Sequence, residues 1–238
     1  MSIKVFIGVG HGGIDPGSLS YDKKYEEADI NLGIAKQVDA ELIRHGVITQ
    51  MSRKTDVRVK MDDVVEACNK FKPDYAIDIH NNAATAPSAK GAETYYSISG
   101  GKGQTLAINI QNELVNIGQA NRGIKTRVNS SGRNYYQFIR ETNAPANIIE
   151  CGFMTNETDM KNMDEAHEQA KIGTAIAKGI LKTVGIAYKE PVVETPVTSN
   201  SLYRVQVGAY RNKSNAEALV KQLDAAGFKG AFITEQKG

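Results

Sequence analysis

The first apolar run of the chain, Lys4-Val5-Phe6-Ile7-Gly8-Val9, ends in Gly10-His11-Gly12-Gly13 and reads as a buried strand that delivers a histidine to the end of a sheet. The device returns at Asp74-Tyr75-Ala76-Ile77-Asp78-Ile79-His80-Asn81-Asn82, a second short strand that closes on a histidine. Between the two, Ile34, Val38 and Leu42 recur four apart on the face of a helix that Gly46 stops, and Val47 to Ser52 forms a short strand. Met61, Val64, Val65, Cys68 and Phe71 then mark a second helix, closed by Pro73. After His80, Gly91 to Tyr96 predicts a strand, and Leu106, Ile110, Leu114 and Ile117 a helix that ends at Gly118. Ser130 to Asn134 is a turn-like bridge into the run Tyr135 to Arg140. Pro145 to Glu150 follows as a short strand with a carboxylate at its end, and Ile172, Ile176, Ile180 and Val184 line a final helix. This order predicts a single-sheet, three-layer α/β domain of about six mostly parallel strands with helices on both faces.

The pattern changes at Tyr188. Residues 188–200 carry two prolines and no period, as an extended linker does. Beyond it Tyr203, Val205 and Val207 alternate with Arg204 and Gln206; Ala216, Leu219, Val220 and Leu223 form a helical face stopped by Gly227; and Ala231 to Thr234 returns to strand. The expected organisation is therefore a domain over 1–187, a linker over 188–200 and a β-α-β piece over 201–238. That last piece is too small to fold without support.

Composition narrows the partners. The 238 residues are 41% apolar and 24% charged with a formal charge of +2, so no clustered basic surface points to nucleic acid. No stretch approaches the length of a membrane span, and Met1-Ser2-Ile3-Lys4 leads into the first strand without a signal-peptide pattern. The two cysteines, Cys68 and Cys151, sit inside apolar patterns and are expected to be buried free thiols.

Two histidines at one end of a sheet suggest a metal. A hydrolytic zinc takes three protein ligands from His and Asp or Glu and keeps one position open. Of the four histidines, His45 lies at a helix C-terminus, where a cation suits the helix dipole, and His167 lies on a solvated helix. His11 and His80 remain. No His-Glu-x-x-His segment is present, so the third ligand comes from elsewhere. Glu27, just before a helix and at the end of the loop that His11 opens, is the best candidate, and spacing does not separate it from Glu26. A base is needed as well: Glu150 reaches the same end of the sheet, with Glu93 as its rival inside a strand pattern.

These residues resemble a family. Gly10-His11-Gly12-Gly13-x-Asp15-x-Gly17, Glu27-x-x-x-Asn31-Leu32, Ile79-His80-x-Asn82-Ala83, Asn121-Arg122-Gly123 and Pro145-Ala146-x-x-x-Glu150-x-Gly152-Phe153-x-x-Asn156 are similar to zinc-dependent N-acetylmuramoyl-L-alanine amidases of the amidase-3 type. The likeness runs over residues 3–184. It implies a zinc ion held by His11, Glu27 and His80, with Glu150 as the catalytic carboxylate, and it prefers Glu27 to Glu26. It also implies cleavage, by zinc-activated water, of the amide between N-acetylmuramic acid and the L-alanine of the stem peptide. Asn82, Arg122 and Arg140 are candidate substrate contacts, since the polymer carries carboxylates that guanidinium groups clamp. Asp78 stands where a serine is common, and it is expected to point away from His80.

The C-terminal piece is similar to the first half of a SPOR domain, a peptidoglycan-binding module. An unpaired half exposes Val205, Val207, Leu219 and Leu223, so two chains are expected to pair through it as a homodimer. The peptidoglycan target lies outside the membrane, so a chain made in the cytoplasm without a signal would reach it after lysis or through a holin, as an endolysin or a sporulation enzyme does. Two other functions compete: a zinc peptidase that cuts within the stem peptide, and a catalytically inactive wall-binding adaptor.

Overall fold

A computed structural model describes residues 2–191, 205–228 and 230–235. The order of elements is β1 (Lys4–Val9), α1 (Glu27–Arg44), β2 (Ile48–Met51), α2 (Met61–Phe71), β3 (Tyr75–Asn82), β4 (Ala92–Tyr95), α3 (Lys102–Asn116), β5 (Asn121–Lys125), α4 (Gln137–Glu141), β6 (Ala146–Phe153), α5 (Glu157–Met160), α6 (Ala166–Thr183) and α7 (Lys213–Ala225). The first twelve belong to a unit over Met1–Glu190, and α7 to a separate unit over Pro191–Gly238.

The first unit is built on one six-stranded sheet in the order β2-β1-β3-β6-β4-β5. Four neighbouring strands, β2, β1, β3 and β6, are parallel. β4 pairs antiparallel with β6, and β5 runs parallel to β4, so two of the six strands are reversed. The registers that matter for the site place Gly8 beside Asp78, His80 beside Glu150, and Glu93 beside Glu150 from the other side.

Side chains alternate across a sheet, and the two faces are covered unequally. Val5, Ile7, Val9, Ile77, Ile79, Ile149 and Cys151 belong to a large core with the stripes Ile34-Val38-Leu42 of α1, Leu106-Ile110-Leu114 of α3 and Ile172-Ile176-Ile180 of α6. On the opposite face Phe6, Ala76 and Ala146 pack on Val64 and Cys68 of α2 and Phe138 of α4. α2 and α4 are short, and this second core stops there. Farther along the same face come Gly8, Asp78 and Ile148, then His80 and Glu150. The polar site thus begins where the smaller helical layer ends.

Three segments differ from the sequence reading. β5 carries a single apolar residue, Ile124, in Asn-Arg-Gly-Ile-Lys, because an edge strand with half-exposed faces needs no apolar alternation. The run Tyr135 to Arg140 holds a five-residue helix that buries Phe138 and Ile139. β6 does not end at Glu150: Cys151 and Phe153 are buried and carry it to Phe153, so Glu150 sits within the strand. Both cysteines are free and buried, as expected. Among the described residues no helix is long and apolar enough to cross a membrane.

In the second unit α7 is capped by Asn212, whose side chain accepts the Ser214 amide hydrogen at 3.0 Å, and none of its residues is buried. Residues 205–210 and 231–235 join no ladder, so the expected β-α-β piece shows only its helix among the described residues. Tyr203, Arg204 and the stretch 192–200 lie outside the described residues. Tyr188 belongs to the first unit, where its ring stacks on His45 at 4.9 Å.

Candidate metal centre

Each of the three proposed ligands arrives by a different local device. β1 ends at Val9, Gly10 still bonds to the sheet through the Ile79 carbonyl, and His11 then turns out of the strand with a left-handed φ of 61°. That conformation is costly for a residue with a Cβ. Glu27 is the first residue of α1, and its burial beside an exposed Glu26 separates the two candidates that spacing could not. His80 lies in β3, just before the register shift between His80 and Asn82.

The three side chains meet. Glu27 Oε1 lies 3.3 Å from His11 Nε2 and 3.2 Å from His80 Nδ1, and the rings stand edge to face with centroids 5.2 Å apart. One donor atom from each falls within 4.8 Å of the others, the one such group of His, Cys, Asp or Glu among the described residues. Two ring nitrogens and a carboxylate oxygen make the His₂Glu set that suits a hydrolytic zinc. Glu27 is held from behind: Ser18 N donates to Oε2 at 2.9 Å, Asn81 N to Oε1 at 3.1 Å and Asn31 Nδ2 to Oε1 at 3.3 Å. Asn31 sits one helical turn after Glu27 and also reaches the Gly10 carbonyl at 3.2 Å, tying the helix to the His11 turn. The buried Arg53 guanidinium clamps the same junction through the carbonyls of Val9, Gly10 and Ala28.

Glu150 stands in the adjoining strand, in register with His80. Its Oε2 is buried with no hydrogen-bond partner among the described residues, and an unpaired buried carboxylate oxygen calls for an explanation.

A family model described as N-acetylmuramoyl-L-alanine amidase matches residues 5–182, three quarters of the chain. The chain belongs to the N-acetylmuramoyl-L-alanine amidase family. A SPOR-domain model matches residues 177–238; residues 177–190 of that match belong to the first unit. The sporulation-specific N-acetylmuramoyl-L-alanine amidase of Bacillus subtilis (strain 168) is 27% identical over 233 residues, 97% of this chain and 84% of that protein. Among solved structures, Cwp6 from Clostridium difficile superposes with a TM-score of 0.75 at 33% identity, covering 77% of this chain and 30% of that one. The N-acetylmuramoyl-L-alanine amidase AmiC2 of Nostoc punctiforme gives 0.70 at 30%, covering 77% and 97%.

The electrostatics of this amidase divide its groups sharply. Burial opposes the charge on Glu27, but the hydrogen bonds from His11 and His80 outweigh it and hold the carboxyl well below its usual range. His11 is raised, chiefly by its bond to Glu27. His80 is raised further: burial works against its cation, and Asp78 and Glu27 more than offset it. Glu150 moves the other way, pushed up to about 7 by burial, with help from the charges of Glu27, Glu93 and Asp78. Cys68, raised by burial to about 12, is an inert thiol.

The remaining sequence candidates separate. Asn82 Nδ2 donates to Glu93 Oε1 at 3.0 Å, and Arg122 Nε to Glu93 Oε2 at 2.6 Å, so both assemble around the rival carboxylate. Arg140 binds the carbonyls of Asn134 and Tyr135 and pairs with Glu141, which ties down its own loop. His45 meets a backbone group at each ring nitrogen, Glu41 O at 2.7 Å and Lys189 N at 2.9 Å, and is not among the converging donors. His167 is exposed between Glu165 and Glu168. Sequence reasoning passed over Lys125 and Tyr95, which complete the Glu93 cluster. It also placed Asp78 wrongly. Residues two apart in a strand share a face, and Asp78 Oδ2 lies 3.3 Å from His80 Nε2.

Proposed function

We propose that the chain is a zinc-dependent amidase that hydrolyses the amide between the lactyl group of N-acetylmuramic acid and the L-alanine of the stem peptide, with His11, Glu27 and His80 holding the ion and Glu150 moving the proton. The observation that carries this reading is the convergence of three donor atoms on one point beside the unpartnered oxygen of Glu150. A zinc ion at that point supplies Lewis-acid polarisation of the scissile carbonyl and lowers the pKa of attacking water.

The side chains account for the rest. A carboxyl with a pKa near 7 exchanges protons readily at neutral pH, and a cation beside it favours the ionised form that accepts one. Glu150 takes the proton of the attacking water and returns it to the departing amine of L-alanine. Arg122 keeps Nε on Glu93 and its guanidinium 4.8 Å above the Phe153 ring, and its terminal nitrogens make no hydrogen bond among the described residues. They are available to a stem-peptide carboxylate. Asn82, whose Nδ2 holds Glu93, and Arg140, whose guanidinium holds its own loop, act as structural ties.

The SPOR match supports contact between the C-terminal unit and peptidoglycan, and the exposure of Val205 (88%), Val207 (59%) and Phe228 (66%) supports pairing of two such units in a homodimer. Light scattering at micromolar concentration tests the pairing: a two-chain mass is expected, and a one-chain mass ends it.

Digestion of purified peptidoglycan tests the chemistry. The expected new amine is the free N-terminus of L-alanine on intact stem peptides. A different new amine makes the chain a peptidase acting within the stem, and none at all makes it an adaptor. Metal analysis of the protein beside His11→Ala and His80→Ala tests the ligand set, with one zinc per chain expected only for the unsubstituted protein.

A further inference from the structure

Asp78 is 1% exposed, in the middle of a parallel sheet, on a face otherwise occupied at this level by glycine and isoleucine. A carboxylate in such a place is costly unless something donates to it. Its one hydrogen-bond donor among the described residues is the ring of His80, whose Nε2 lies 3.3 Å from Oδ2. The other nitrogen of that ring, Nδ1, is the one turned to Glu27 Oε1 at 3.2 Å. The two nitrogens therefore face different tasks, one towards the buried carboxylate and one towards the cluster of donors.

The neighbouring strand is shaped around this pair. A Cβ on Gly8 would stand 2.5 Å from Asp78 Oδ1, and one on Gly10 would stand 2.2 Å from His80 Cε1. A side chain at Gly8, in β1, or at Gly10, just past its end, would force the carboxylate or the ring to shift. Gly8 and Gly10, two apart like Asp78 and His80, clear one track for both. His11 shows a looser version of the arrangement, with Asp15 Oδ1 3.1 Å from its Nδ1, but there the carboxylate is 41% exposed and the bond competes with water.

We propose that Asp78 is a positioning residue for the metal centre, which accepts the Nε2–H of His80 and so fixes the ring with the Nδ1 lone pair presented to the ion. The proposal rests on the zinc reading above. A buried carboxylate on the far nitrogen sets the tautomer and the ring orientation and makes the ligating nitrogen a better donor, and removing such a partner typically weakens metal binding by about 10- to 100-fold. Asp78 touches neither substrate nor ion. Its effect passes through His80.

The test is zinc affinity, measured by competition with a chromogenic chelator on the full chain, for the unsubstituted protein, Asp78→Ala and Asp78→Asn. Asp78→Ala is expected to weaken zinc by about 10- to 100-fold, and Asp78→Asn, which keeps an acceptor oxygen and the volume but not the charge, by less. Asparagine also covers the case in which the alanine variant does not fold, and any weakening by it then carries the proposal. A long-range nitrogen–proton NMR spectrum of the zinc-loaded protein gives a second readout, with His80 expected to carry its proton on Nε2. Unchanged affinity in folded variants, or a His80 proton on Nδ1, overturns the role of Asp78 while the zinc centre stands. Failure of the unsubstituted protein to bind zinc overturns the centre and this proposal with it.

Discussion

Glu93 and Glu150 stand opposite each other across the antiparallel β4–β6 pair, and the fold drives their carboxyls in opposite directions. Burial would raise both. At Glu93 the Lys125 ammonium, the Arg122 guanidinium and the Tyr95 hydroxyl outweigh it and keep the carboxyl ionised; at Glu150 nothing does, and the pKa climbs to about 7. Two titrating groups separated by their surroundings mark which of them can move a proton. Sequence alone ranked these two carboxylates, and their partners explain the ranking.

Glu93→Gln should therefore damage the protein without removing its chemistry. It leaves Arg122 and Lys125, each about one third exposed, without their counter-charge. A loss of about 2 kcal/mol is expected, at the low end for a broken buried pair because water reaches both cations. The substitution also removes one of the like charges that raise Glu150, so the acidic limb of the pH–rate profile should move down. Denaturant unfolding and a pH series of wall-lysis rates check the two effects, and a limb that moves up contradicts the assignment.

Glu150→Gln should abolish turnover and spare the metal. Loss of a positioned acid–base group costs about 10²- to 10⁴-fold in rate. The variant should still bind one zinc per chain, since Glu150 is not among the three converging donors. Release of L-alanine amino groups from peptidoglycan, measured beside zinc content, gives the answer; near-normal turnover would return the base to Glu93 or to another group.

The metal-free protein should lose stability as pH rises towards neutrality, and the stabilisation that zinc adds should grow over the same interval. In the metal-free protein His11 and His80 are raised, so the stability they contribute is complete below 6.5 and drains away as pH rises through their folded values. Glu150, raised from 4.5 to about 7, loses stability over that interval in the same direction. Glu27 is depressed, so its contribution is present above 4.5 and is lost only as pH falls through its folded value. The metal-free protein should be most stable at roughly pH 5. Zinc requires neutral imidazoles, so the gain in Tm on adding it should grow from pH 6 upwards, which thermal melts in chelator and in zinc would show. A metal-free Tm that rises between pH 5 and 8 contradicts these signs.

Gly10→Ala should cost the metal more than the fold. The added methyl falls on the His80 ring, 2.2 Å from Cε1, so the ring must leave the position in which it meets Glu27. Zinc affinity should fall by at least about 10-fold, since displacing a ligand exceeds the loss of an outer partner. Chelator competition measures it, with circular dichroism as the check on folding; an unchanged affinity would place the His80 donor elsewhere.

The chain by itself determined the two strands that bring the histidines to the site, the 3.6-residue stripes of α1, α3 and α6 and the identity of the family, because apolar periodicity and short spaced motifs are local properties of the sequence. It also placed His11, His80 and Glu150 at one end of a single sheet. Spacing left Glu26 and Glu27 open and the family likeness preferred Glu27; the tertiary structure supplies the physical reason, since Glu26 is the exposed, extended N-cap of α1 while Glu27 opens the helix and is buried. Strand order did the same for Glu150, setting it between His80 and Glu93 through a reversed β4 that no periodicity reveals. Asp78 was legible in principle, because two residues along a strand is a return to the same face. Its burial against Gly8 and its bond to His80 required a neighbouring strand, and pairing between strands seventy residues apart is set by the packing of the whole sheet.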